Sequence, residues 1–89
     1  MDGTLDYQVT LKKEVLREIA AGVVADYSKY MLNHKISPTD SNNPVTVLVN
    51  EVYNLQEDII EFRSPELLFA AEQTLQAFKR VLERLSVNG

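Results

Sequence analysis

A run of apolar residues in the last third of the chain constrains its fold most. Leu68, Ala71, Leu75, Phe78, Leu82 and Leu85 step by three and four residues, the spacing that lines up one face of an α-helix. Glu72, Gln76, Lys79, Arg80 and Glu83 cover the opposite face. Ser64-Pro65-Glu66 supplies an N-cap, a proline at the first helical position and an acid in the first turn. This predicts a helix over about 65–86. It has one buried face and so needs a partner to cover it.

Two more segments meet that need. From Thr10, a plausible N-cap, to Asn33, two neighbouring rows form one broad apolar face. Ile19, Val23, Tyr27, Tyr30 and His34 make one row, and Leu16, Ala20, Val24, Tyr27 and Met31 the other. From Pro44 to Phe62, Leu48, Val52, Leu55, Ile59 and Phe62 step by four and three, behind an Asn43-Pro44 start. Residues 36–43 consist almost wholly of turn and cap formers and read as a loop. Only about two residues separate the second and third helices, which makes them antiparallel neighbours.

Two stretches read differently. Leu5, Tyr7, Val9 and Leu11 alternate with polar residues, a strand-like period of two. Val45-Thr46-Val47-Leu48-Val49 is rich in β-branched residues. The expected fold is therefore mainly α: an antiparallel three-helix bundle over residues 10–89 with an extended N-terminal arm at 1–9. The alternative is an α+β domain in which 4–11 and 45–49 pair as a small sheet.

Composition narrows the function. With 89 residues the chain is one domain, of a size at which association with a partner helps stability. It has no cysteine, which removes disulfides, thiolate metal sites and thiol nucleophiles. Neither the metal-binding Glu-x-x-His pattern of carboxylate bundles nor a calcium loop occurs. Three glycines leave little material for a phosphate-cradling loop. No cofactor, metal ligand or catalytic residue is expected, and the chain is not read as an enzyme. A net charge of −4 and a pI near 4.8 disfavour nucleic acid and anionic membranes. The N-terminus lacks the order of a secretory signal and no apolar run approaches a membrane span, so a cytoplasmic protein is expected.

What remains is surface. Between Pro44 and Phe62 lie Glu51, Glu57, Asp58 and Glu61 and no Lys or Arg, so the whole net charge sits on the second helix. Glu51, Asp58 and Glu61 share one sector of it. They form either a docking face for a basic partner surface or an ordinary solvated face. Val49, Tyr53 and Ile60 form an apolar shoulder beside the heptad seam, suited to a neighbouring helix or to a dimer contact. Phe69 points into the polar half of the third helix, as an interface anchor or under a covering segment. His34, in line with Tyr30 and Tyr27, is either a helix-end histidine beside stacked tyrosines or a pH-responsive group. The expected function is a small non-enzymatic protein–protein interaction module. It would be a regulatory or adaptor subunit, homodimeric or held in a complex, contacting its partner through Glu51, Glu57, Asp58, Glu61, Phe69, Val49, Tyr53 and Ile60. The alternatives are a structural subunit of a larger assembly and, behind it, a bundle that holds a small ligand near Tyr27, Tyr30 and His34.

Overall fold

The structure, a computed structural model, describes residues 2–88, with side chains over 7–87. Met1 and Gly89, the outer ends of the expected arm and domain, lie outside the described residues, as do the Leu5 side-chain contacts that the strand pattern invoked. Three α-helices follow one another: α1 (Asp2–Asn33), α2 (Pro44–Glu61) and α3 (Pro65–Asn88). Each packs on the other two. Lys13 of α1 reaches the last turn of α2, and Lys12 and Tyr27 reach successive turns of α3. The bundle is therefore up-down-up, as the short α2–α3 connection predicts.

The core is a line of side chains from each helix. Leu16, Ala20, Val23, Tyr27 and Met31 come from α1, and Val45, Val49, Val52 and Ile59 from α2. Leu68, Ala71, Leu75 and Leu82 come from α3. On α3 the observed core is the predicted stripe. On α2 it is rotated. Val45, Val49, Val52 and Ile59 are buried, whereas Leu48, Leu55 and Phe62 are half-buried against the cluster. An apolar set wide enough to serve two neighbours centres on the line between them, and that line passes through Val49 and Val52.

The expected extended arm is corrected. Residues 2–9 are helical and continue α1, and Thr10 lies inside the helix. No strand forms among the described residues, because 45–49 is the first turn and a half of α2. Once a helix is nucleated, each further residue gains a hydrogen bond for one residue fixed. No proline interrupts 3–10, and the only strand partner on offer is helical. The alternation from Leu5 to Leu11 also contains the helical pair Tyr7–Leu11, so the period of two was ambiguous.

The ends of the helices are built locally. Asn43 caps α2, its side chain accepting from the Val45 N–H at 2.9 Å, with Pro44 at the first position. The Ser64 hydroxyl accepts from the Glu66 N–H at 3.2 Å and caps α3. α1 stops in a Schellman arrangement. The Ile36 N–H donates to the Met31 carbonyl at 2.8 Å and the Lys35 N–H to that of Leu32 at 3.3 Å, with Lys35 at φ 56°. Ile36 then packs on the core. Two inward polar groups lock the elements together. Tyr27, with no exposed surface, donates its hydroxyl to the Phe78 carbonyl at 2.6 Å. Buried Thr46 donates to the Ser37 carbonyl and ties the 36–43 loop to α2. No buried side-chain polar atom among the described residues lacks a partner.

Candidate protein-binding surfaces

α1, at 32 residues, outruns α2, at 18. Lys13 Nζ already meets the carbonyl of Ile60, next to the end of α2, at 2.7 Å. The turns of α1 before it therefore stand beyond α2, accompanied only by the start of α3. Tyr7, Leu11 and Val15, at i, i+4 and i+8 on the side opposite the buried line, are 60%, 46% and 48% exposed. Sequence reading missed this stripe because it assigned Tyr7 to an extended arm at 1–9 and read Leu11 as part of that arm's alternation. The four-residue spacing was the available signal.

Phe69 opens on the same end of the molecule. It is 60% exposed. Among the described residues, Gln8 and Val9 of the N-terminal segment flank it without closing over it. It lines a cleft of about 290 Å³ with Gln8, Val9 and Lys12 of α1 and Pro65 and Leu68 of α3. Lys12 closes one rim through an ion pair with Glu72 at 2.9 Å, the only ion pair among the described residues.

The acidic residues of α2 are all exposed: Glu51, Glu57, Asp58 and Glu61. Folding changes their balance in one place. Lys13 and Arg63 gather at the end of α2, where both donate to the Ile60 carbonyl and the Lys13 ammonium lies within the fields of Arg63 and Glu61. Loss of hydration and the neighbouring guanidinium hold Lys13 below the ordinary lysine range, while Glu61 acts in the opposite sense. The uncompensated part of the face is thus Glu51, Glu57 and Asp58. The apolar shoulder divides. Tyr53 and Ile60 are about half exposed, but Val49 is 4% exposed and belongs to the core. Its place on the contact surface is corrected: the buried line of α2 runs one position further round than the heptad suggested.

His34 stacks on Tyr30 with ring centroids 4.1 Å apart. The pair lines an open groove between the C-terminal ends of α1 and α3, with Asp26, Leu82 and Glu83 among its walls. Tyr27, the third member of the sequence row, is buried and committed to Phe78. The three therefore form no common ligand chamber. No cluster of metal-ligating side chains occurs among the described residues, and no helix there is long and apolar enough to cross a membrane.

The family model for the bacterial epsilon antitoxin matches residues 5–85. The chain belongs to that family. It is similar to the protein named antitoxin epsilon from Lactococcus lactis subsp. lactis, with 27% identity over 82 residues, covering 92% of this chain and 94% of that one. No solved structure matches the chain at a significant level. Membership of an antitoxin family marks a small regulatory protein rather than an enzyme, and its helical fold agrees with the bundle described above.

Proposed function

We propose that this protein is an antitoxin that neutralises a toxin protein by binding it. The family match over 5–85 carries the reading. The exposed apolar side chains toward the N-terminal ends of α1 and α3 support it, since large exposed apolar side chains are what an interface core requires. The toxin contact comprises Tyr7, Leu11 and Val15 on α1 and the Phe69 cleft between α1 and α3. Glu51, Glu57 and Asp58, with Tyr53 and Ile60 at their edge, form a second face, suited to a basic surface on the partner. The chain works in the cytoplasm, where its target is made, and also associates with itself.

Co-expression with the toxin of the source organism tests the reading. The wild-type chain should restore growth and co-purify with the toxin. Leu11→Glu and Phe69→Glu should each abolish both effects while leaving helicity unchanged, because both side chains are solvent-exposed in the free protein. A chain that neither rescues growth nor binds the toxin ends the antitoxin reading. Rescue that both variants retain moves the contact elsewhere. Glu57→Lys with Asp58→Lys asks the same of the acidic face.

A further inference from the structure

Lys12 and Lys13 are neighbours in sequence and opposites in environment. The Lys12 ammonium meets the Glu72 carboxylate of α3 at 2.9 Å, a partner that favours its charged form. Lys13 turns to α2, where its Nζ donates to the Ile60 carbonyl at 2.7 Å. That oxygen lies in the last turn of α2, whose carbonyls have no partner within the helix. Arg63 donates to the same oxygen from Nη1 at 3.2 Å, and to the Phe62 carbonyl at 3.3 Å. One carbonyl thus holds an ammonium and a guanidinium side by side. Loss of hydration and the Arg63 charge ease the proton off Lys13, and together they outweigh Glu61, the acid that favours keeping it. Lys13 is nonetheless only half-buried, and Arg63 is exposed. The pair is open to small solutes.

We propose that Lys13 is a modification site, the lysine of this chain that small acyl phosphates acylate first, with Arg63 as the anchor for their phosphate. A lysine attacks a carbonyl only as the neutral amine, and a cation pressed against another cation gives up its proton more readily than one facing a carboxylate. The two bonds that hold Arg63 use a single nitrogen, Nη1, so the rest of the guanidinium fork is left for an anion, and that fork matches phosphate oxygens in pairs. An acyl phosphate seated there has its carbonyl carbon beside Nζ. The Lys13 nitrogen forms a bond to that carbon. The carbon–oxygen bond to phosphate breaks, inorganic phosphate leaves with the electron pair, and the nitrogen sheds a proton to water. The product is a neutral amide, and one of the two cations that offset Glu61 is gone. If the acidic face of α2 meets the toxin, a consequence that rests on the function proposed above, acylation strengthens that face at its Glu61 end.

The test treats the folded full chain with acetyl phosphate near neutral pH and follows acetylation at each lysine by mass spectrometry. Lys13 should react first, about threefold or more faster than Lys12. Arg63→Gln should slow Lys13, because it removes both the repelling charge and the phosphate anchor. Glu61→Gln should speed it, because it removes the acid that holds the proton. Both residues are exposed, and circular dichroism checks that each variant keeps its helicity. Opposite signs in the two variants are what charge predicts; a change in accessibility alone moves neither rate in that pattern. An uncharged acetyl ester should still prefer Lys13 but by a smaller margin, since it gains nothing from the anchor. Lys12 reacting as fast as Lys13, or a Lys13 rate indifferent to Arg63→Gln, overturns the proposal. An equal preference with the uncharged ester overturns the anchoring role of Arg63. None of these readouts involves the toxin, so failure of the modification site and failure of the antitoxin reading are told apart.

Discussion

Replacing Tyr27 by Phe removes one oxygen from the centre of the bundle and nothing else. The ring has no exposed surface, and its hydroxyl makes a 2.6 Å hydrogen bond to the Phe78 carbonyl. The aromatic volume stays, so no cavity of note opens, and the loss is that of one buried hydrogen bond. That is worth about 0.5–1.5 kcal/mol net. In a domain of this size, 1 kcal/mol moves the melting temperature by about 4–8 °C, so thermal unfolding followed by circular dichroism resolves it. The pH dependence gives a sharper check. Burial raises the Tyr27 phenol above its ordinary value of 10.0. A group whose folded pKa is raised contributes stability that is fully present below its unfolded pKa and lost as pH rises through the folded one. The stability gap between wild type and Tyr27→Phe should therefore be constant below about pH 10 and close above it. Other titrating groups are common to both proteins and cancel in the difference. A gap that persists unchanged well above pH 10, or a variant as stable as wild type at neutral pH, refutes the assignment of Tyr27 as a buried hydrogen-bonded tie between α1 and α3.

Lys35 sits at φ 56° in the Schellman turn, where a side chain is strained and glycine is not. Lys35→Gly should raise stability by about 0.5–1 kcal/mol, the strain relieved exceeding the added freedom of the unfolded chain, as read from urea midpoints. Ser64→Ala deletes the α3 cap and should cost about 1 kcal/mol without changing toxin or self-association. Hydrogen bonds from the Ser64 hydroxyl and a backbone N–H hold the Glu66 carboxyl below its ordinary range. Its contribution is present above the unfolded glutamate pKa and lost as pH falls through the lowered folded value, and Glu66→Gln should flatten that limb of the stability–pH curve. Val49→Asp places an unpaired charge in the core and should unfold the bundle, whereas Ile60→Asp, one end of the same sequence shoulder, should leave the melting temperature within a few degrees.

The helices were legible because each carries its own instructions. The Asn43-Pro44 and Ser64-Pro65-Glu66 starts, the turn-forming loop at 36–43 and the stripe from Leu68 to Leu85 all act through nearest neighbours, and they fix α2 and α3 almost to the residue. The acidic balance and the missing thiols also depend on residue types alone. Phe69 was recognisable as the residue that breaks the pattern of its own helix, but whether a neighbouring segment covered it was decided by the packing.

Tertiary packing decided the rest. Whether Leu5–Leu11 was strand or helix depended on the 45–49 segment, and that segment's capped helix removed the only partner a strand had. Val49 and Tyr53 look alike in an amphipathic pattern, yet the direction from which α1 and α3 approach α2 buries the first and leaves the second wet. The Tyr7–Leu11–Val15 stripe is exposed because it lies opposite the buried line of α1, on the side that neither α2 nor α3 covers, and that became visible only once the residues before Thr10 proved helical. The charge on α2 was counted correctly along the chain, but folding brings Lys13 and Arg63 onto its end. Local patterns specify which elements form and which face of each is apolar; which apolar residues stay uncovered is set by how the three helices are laid against one another.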